Sequence, residues 1–257
     1  MVSILDVLSN IFFSKKKIDI KTLPSGGYFY GEDLTLSIKR ASESEIKEYH
    51  ENFTADDLVS IISKIKKIVC NNVILNEPYI FEDLKSVDVV FIFLEIVKHT
   101  TGNKIMITYV DEQKNKECQI EFDKTTFNYF KPSTQLMDNW NKQERQFEIM
   151  GYKYSLPTIG VENCITFFLI YHSQSKNSPY LSDLFYDFTY FVGQKNFLTF
   201  NEIENLIQVF NSDIEEEEMD KIKEILEIFS PFQKYSLMEG GKVIDINSKI
   251  DLKNIWS

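Results

Sequence analysis

The sequence predicts an α+β protein: a helix-rich N-terminal domain with an antiparallel β unit, followed by a mainly helical C-terminal region. Three observations carry this prediction. Apolar residues recur at helical spacing over 58–69, 203–210 and 222–229. Residues 87–97 form the richest apolar run of the chain. Apolar and polar residues alternate on both sides of the polar stretch 111–116, which is typical of a hairpin.

Size and composition are those of a folded protein with a substantial core. A chain of 257 residues fits one large domain or two smaller ones. Hydrophobic residues make up 43% of it, while nine Gly and six Pro are too few for long linkers. We expect the boundary between two domains, 1–135 and 136–257, within residues 130–158.

The charge balance argues against nucleic acid as a partner. The net charge is −11, and binding to phosphates depends on lysine and arginine. The densest basic run, Lys15-Lys16-Lys17, is interpreted as the solvated end of a helix over 2–13. A nucleic-acid-binding module would need a basic face that the sequence does not reveal.

The N-terminal half alternates strands and helices. A strand over 34–39 precedes Ser42, which with Glu45 forms a capping box. Thr54 opens the next helix, which ends at Asn71-Asn72. After a helical turn over 80–85, Ser86 is predicted to cap a buried helix from Val87 to about His99, which Gly102 ends.

Strands and then helices are predicted beyond that point. The strands of the hairpin flank 111–116, and further strands are expected over 127–130 and 144–156. The predicted helices of the second half, one of them opened by a capping box of Thr199 and Glu202, cover 160–175, 180–193, 199–211 and 214–229. A small hairpin around Gly240-Gly241 closes the chain.

Residues suited to catalysis or metal binding are scarce. The three cysteines, at 70, 118 and 164, form no CxxC pair, and the three histidines are isolated from one another. Phosphate-binding glycine motifs and a GxSxG motif are absent from the sequence. We therefore predict no catalytic, metal or cofactor residues, and a protein that is not an enzyme.

No segment of the sequence is typical of a secretory signal or a membrane span. Residues 1–13 are apolar, but their basic residues follow them instead of preceding them. The apolar run 87–97 is short and carries Asp88 and Glu95. We expect a soluble intracellular protein without a membrane partner.

The most informative local feature is a turn with an aromatic exit. Its proline fixes one φ angle, and its two glycines permit φ > 0, so a shaped loop is expected here. The predicted interaction or structural site consists of Leu23, Pro24, Ser25, Gly26, Gly27, Tyr28, Phe29 and Tyr30. We expect the three aromatic residues to pin the turn to the helix over 87–99.

Residues 20–125 resemble the T4-like phage baseplate protein family, which comprises baseplate hub and hub-assembly proteins of contractile-tailed phages. The resemblance rests on the Leu-Pro-Ser-x-Gly-x-x-Tyr pattern of the turn and the strand after it. It continues with an acidic helix and with a longer helix that ends in a polar pair. Its last part is the order Asp83-Leu84, Asp88 and an apolar helix that closes on Gly102. The cysteine pairs that the family often carries in the following hairpin are missing, since Cys118 stands alone there.

The resemblance implies a non-catalytic baseplate hub protein or hub assembly factor. Its expected partners are other phage tail or baseplate proteins, with self-association left open. Its expected location is the host cytoplasm during assembly, or the virion tail. The alternatives are a small intracellular enzyme acting on a phosphorylated or glycan substrate, and an acidic protein-interaction module unrelated to tails. If aromatic side chains anchor contacts with partners, some of the Phe and Tyr residues should be exposed in the isolated protein.

Overall fold

The computed structural model describes residues 16–51, 58–111, 115–173, 191–192, 198–212, 214–232, 236–239, 242–245, 250–251 and 255–256. Helices and small sheets alternate through these ranges, and every strand pair in them is antiparallel. This arrangement confirms the predicted α+β class. The predicted helix over 2–13, most of that over 180–193, and the start at Thr54 lie outside the described residues.

The first sheet is built from three short strands in the order β1-β2-β3. They are β1 (Lys16–Ile18), β2 (Leu36–Ile38) and β3 (Val73–Leu75). The prediction that the lysine run ends a helix is wrong for Lys16 and Lys17, which pair with β2. The buried side chain of Ile18 explains this, because it fixes the strand against the core.

Three helices belong to this half of the chain, two between β2 and β3 and one after β3. They are α1 (Glu43–His50), α2 (Leu58–Asn72) and α3 (Val89–Thr101). The capping box of Ser42 and Glu45 is confirmed, and Gly102 ends α3 at φ 72°. The predicted cap at Ser86 is wrong, because residues 86–88 form a 3-10 turn and the Ser86 hydroxyl donates to Glu162 instead.

The predicted hairpin consists of β4 (Met106–Asp111) and β5 (Lys116–Glu121). A strand from the far end of the chain, β11 (Ile250–Asp251), pairs with β4 on its other side. Ile255 and Trp256 also pack into the N-terminal core, where the ring centre of Trp256 lies 5.8 Å from that of Phe93. The boundary between domains 1–135 and 136–257 stays a prediction, but the C-terminal end of the chain contributes to the N-terminal core.

A small aromatic β unit follows. It contains α4 (Thr134–Met137), β6 (Trp140–Asn141), β7 (Gln146–Ile149) and β8 (Tyr152–Tyr154), with the strands in sequential order. The strand predicted over 127–130 is wrong, since that segment is irregular. Its backbone is engaged elsewhere: the N–H of Phe130 donates to the carbonyl of Pro24.

The remaining helices match the predicted positions. They are α5 (Ile159–Ser173), α6 (Phe200–Ser212) and α7 (Glu216–Phe229). The capping box at Thr199 is confirmed, because its hydroxyl and the Glu202 carboxylate bond each other's backbone N–H groups. The closing hairpin is β9 (Ser236–Glu239) with β10 (Lys242–Asp245).

Two main hydrophobic clusters fill the described structure. The first cluster surrounds α3, of which eight side chains are buried. The second cluster combines the aromatic β unit with α7 and is rich in rings: Phe29, Phe130, Phe147, Tyr154, Phe191, Phe229 and Phe232. A smaller third cluster joins α5 to α6. The turn at 23–30 lies where the first and second clusters meet, since it contributes Tyr30 to one and Phe29 to the other.

Candidate functional site

Residues 23–30 form a turn of defined shape, as the sequence predicts. It leaves a 3-10 helix (Ile20–Thr22) whose N-cap, Asp19, accepts a hydrogen bond from the N–H of Lys21 at 3.0 Å. Within the turn, the N–H of Gly26 donates to the carbonyl of Leu23 at 2.7 Å. The turn is therefore closed by its own backbone.

Both glycines of the turn adopt the left-handed conformation that the sequence predicts. Gly26 has φ 66° and Gly27 has φ 71°. Neither position has room for a side chain: a Cβ at Gly26 would lie 2.9 Å from the carbonyl oxygen of Phe130, and one at Gly27 would lie 3.1 Å from that of Ile20. The glycines therefore permit both the backbone angles and the close approach of neighbouring chain.

A buried carboxylate, Asp88, holds the turn to the start of α3. Asp88 is inaccessible to solvent. Its Oδ1 accepts from the N–H of Ser25 at 2.8 Å, and its Oδ2 accepts from the hydroxyl of Tyr30 at 2.6 Å. The Tyr30 oxygen in turn accepts from the N–H of Lys85 at 2.8 Å. Each end of the turn is thus bonded to the segment that leads into α3.

Lys85 extends this network toward the second half of the chain. Its side chain is buried, and its Nζ donates to Ser155 Oγ at 3.2 Å and to the carbonyl of Leu156 at 2.9 Å. The same nitrogen lies 5.5 Å from the centre of the Phe29 ring, within the range of a cation–π interaction. We call Ser25, Tyr30, Lys85, Asp88 and Ser155 the buried network.

Burial changes the ionisation of this network. It raises the pKa of Asp88 to about 6, although hydrogen bonds from Tyr30 and Ser25 oppose the change. It lowers the pKa of Lys85 to about 8, against the attraction of Asp88. Burial, followed by the charge of Asp88, also raises the pKa of the Tyr30 hydroxyl well above its usual range. Tyr30 therefore acts as a neutral donor at any physiological pH.

The three aromatic residues of the turn do not share one environment. Tyr30 packs in the first cluster against the region of α3, as predicted. The prediction is wrong for Tyr28 and Phe29, which pack in the second cluster. The Phe29 ring centre lies 5.2 Å from that of Phe130 and 5.8 Å from that of Trp140. The turn lies between two cores, so its successive side chains enter different ones.

A separate surface carries exposed aromatic residues, as the sequence predicts for an interaction protein. On α5, Phe167 is 65% exposed, Ile170 51% and Tyr171 64%. These positions share one side of the helix, at i, i+3 and i+4. Phe200 at the start of α6 is 39% exposed, and its ring centre lies 5.8 Å from that of Tyr171. We call these four residues the aromatic face.

A shallow groove of about 240 Å³ lies between α1 and α2. Its charged lining residues are Glu45, Glu48, Glu51, Lys64 and Lys67. The carboxylate of Glu48 pairs with Lys67, and Glu45 forms the capping box of α1. The Lys64 ammonium donates to the carbonyls of Tyr49 and Glu51. These groups stabilise the helix ends around the groove.

Other candidate chemistry is sparse in the described ranges. Among those residues, no group of three His, Cys, Asp or Glu is arranged to hold a metal ion. Cys70 is exposed on α2, whereas Cys118 and Cys164 are half-buried. In the same part of the chain, the helices are too short or too polar to cross a membrane.

Comparison with known proteins found no matching family model, curated protein or solved structure.

The structure brings the predicted turn and Asp88 together, although 63 positions separate Ser25 from Asp88 in the chain. Sequence reasoning missed Lys85 and Ser155. A lone aspartate at the edge of the apolar run 87–97 was the available signal for the network, because a buried charge requires polar partners. The sequence contains no such signal for Ser155, because its partner Lys85 is identified only when the fold places the end of β8 beside Lys85.

Proposed function

We propose that this chain is a phage tail baseplate hub protein or a hub assembly factor, with a structural and not a catalytic role. The observation that carries the proposal is the convergence of the residues behind the family resemblance. The turn bonds through Ser25 and Tyr30 to Asp88, which lies 63 and 58 positions further along the chain. These contacts give the residues of the resemblance a shared structural role in this chain.

The aromatic face supports an assembly role. Large aromatic side chains anchor protein interfaces, where they bury much area at a small cost in conformational entropy. Phe167 and Tyr171 each expose well over half of their surface. A protein that functions by contact with other tail subunits would use such a surface, whereas the turn itself is largely occupied by contacts within the fold.

A small enzyme is the second candidate, because the groove between α1 and α2 gathers three glutamates and two lysines. The contacts of these residues favour the structural role. Glu48 is paired with Lys67. Burial alone would raise the pKa of Glu45, but hydrogen bonds, chiefly from Ser42, outweigh it and lower that pKa below its ordinary value. A general acid or base needs a pKa near the working pH. The lowered pKa of Glu45 lies further from neutral pH than that of an ordinary glutamate.

Affinity capture tests the assignment. Tagged protein, expressed in cells infected with the phage that encodes it, should recover tail or baseplate proteins identified by mass spectrometry. A Phe167→Ser variant should recover much less of them while unfolding at the same temperature as the unchanged protein. Ile228→Ser is the matched control, since Ile228 is an exposed apolar residue on α7, 43% exposed. Capture that yields no tail protein with the unchanged chain would overturn the proposal.

A further inference from the structure

The buried network lies between two cores and joins them. Tyr30 belongs to the first cluster and its neighbour Phe29 to the second. Asp88 bonds the turn, and Lys85 bonds the connection between β8 and α5. A break in this network would therefore free the turn from α3 and loosen the contact between the clusters.

The two charged members of the network end on neutral partners. The Asp88 carboxylate accepts from a backbone N–H and a phenol, and the Lys85 ammonium donates to a hydroxyl and a carbonyl. Both side chains are removed from solvent, with exposures of 0% and 7%. Burial of a charge costs free energy unless a strong counter-charge offsets it, so this joint is weaker than the apolar packing around it.

Within the described ranges, few other ionisable groups face the pair. The charge of Asp88 acts on Tyr129, in the segment after β5. The charge of Asp83, on the 3-10 turn before Lys85, acts on Lys85. From α5, Glu162 is directed to Ser86 and Lys66 instead. The protonation of the network is thus governed mainly by Asp88 and Lys85 themselves.

We propose that the buried network is a releasable joint, from which residues 23–30 detach as a unit at neutral pH while α3 stays folded. Such a release would expose Tyr30, which is buried in the first cluster in the closed form. The proposal concerns the conformation of the chain and stands independently of any role in tails.

The direction of the pH dependence follows from the two ionisations. Asp88 has its pKa raised in the closed joint from 3.8 to about 6, so closure is favoured as pH falls through 6. Lys85 has its pKa lowered from 10.5 to about 8, so closure is favoured as pH rises through 8. Both groups carry their unfavourable charge between these values. Opening should be most frequent near pH 7 and roughly ten-fold rarer at pH 5 and at pH 9.

Amide hydrogen exchange measures this opening directly. The N–H groups of Ser25 and Lys85 donate within the network, so their protection reports its closure. After correction for intrinsic exchange, their protection should be lowest at pH 7. It should lie well below that of Phe93 in α3, which reports unfolding of the first cluster. Equal protection at all three sites, or protection of Ser25 that does not change with pH, would overturn the proposal.

A double variant, K85M/D88N, isolates the charges. It removes both charges and keeps the side-chain sizes, and the carbonyl of Leu156 retains the hydroxyl of Ser155 as a partner. Ser25 exchange should lose its dependence on pH between 5 and 9. The control, K66M/E162Q, neutralises an ion pair of 3.2 Å beside the network, where Glu162 accepts from Ser86, and should leave that dependence intact. If the control abolishes the dependence and the double variant does not, the joint is misassigned.

Discussion

The first and second clusters are equally well buried, yet they are built in different ways. The first cluster surrounds one helix, α3, whose Val, Ile, Leu and Phe side chains are covered on almost every side. Among the described residues, the second cluster has no helix at its centre. It is an assembly of aromatic rings from separate segments of the chain. The ring centre of Phe130 lies 5.7 Å from that of Phe229, and the ring centre of Phe147 lies 4.7 Å from that of Trp140.

The difference shows two ways in which a sequence can specify a core. A helix that is apolar on all sides must be central, so the first cluster follows from local sequence. Aromatic rings provide large area and preferred edge-to-face or offset geometries, but they do not indicate which distant ring they will meet. The turn at 23–30 joins the two cores, and the buried network makes that junction polar.

The largest expected effect comes from removing one ring from the centre of each cluster. Phe93→Ala and Phe147→Ala each delete a fully buried side chain and should each lower the free energy of unfolding by about 3–5 kcal/mol. Urea unfolding followed by fluorescence and by circular dichroism measures both. If the clusters unfold together, both variants shift one shared transition; if they unfold separately, each shifts its own.

Phe167→Ala is the control for both substitutions. Phe167 is 65% exposed, so its loss should change the free energy of unfolding by no more than about 0.5 kcal/mol. A Phe147→Ala variant as stable as this control would contradict the view that the second cluster is a true core.

The polar junction between the clusters is tested by Tyr30→Phe. The substitution removes the hydroxyl that donates to Asp88 and accepts from Lys85, which leaves two buried polar groups without that partner. We expect a loss of about 2 kcal/mol in the free energy of unfolding, measured by thermal and urea unfolding. Tyr28→Phe is the matched control, because the ring of Tyr28 makes the contacts with Phe130 and Trp140. Equal losses in the two variants would remove the special role of the junction.

Alanine substitutions at two glycines distinguish the cost of backbone strain from the cost of steric crowding. Gly26 and Gly102 have φ 66° and 72°, but a Cβ at Gly102 meets nothing within 4 Å. Gly102→Ala should therefore cost about 1 kcal/mol from backbone strain alone. Gly26→Ala should cost about 2 kcal/mol, because its Cβ would also press on the carbonyl of Phe130. Thermal unfolding of the two variants measures the difference, and equal costs would show that the turn can shift to make room.

The smallest effect concerns the helix caps, which lie outside the junction between the two clusters. Ser42→Ala removes the hydroxyl that accepts from the N–H of Glu45 and should cost about 1 kcal/mol. Thr199→Ala, at the equivalent position of α6, should cost about the same. Thermal unfolding checks both. A cost near zero for Ser42→Ala, beside about 1 kcal/mol for Thr199→Ala, would show that the helix next to the first cluster is held by packing instead of by its cap.

Local chemistry predicted a large part of this fold. The helical stripe of α2, the two capping boxes, the hairpin of β4 and β5, and the left-handed glycines of the turn were all readable, because each depends on residues close together in the chain. The predictions failed where a distant partner decides. Residues 127–130 have strand-like composition, yet the N–H of Phe130 bonds Pro24 and no ladder forms. Ser86 has the chemistry of a cap, yet its hydroxyl donates to Glu162.

Residue pattern alone predicts the fold class, the shape of the turn and the central place of α3, since periodicity and backbone preference act over a few residues. Three features depend on long-range packing: Phe29 and Tyr30 enter different cores, β11 pairs with β4, and Lys85 bonds Ser155. These contacts join residues many positions apart. Their geometry arises from how whole elements pack, which local propensity does not encode.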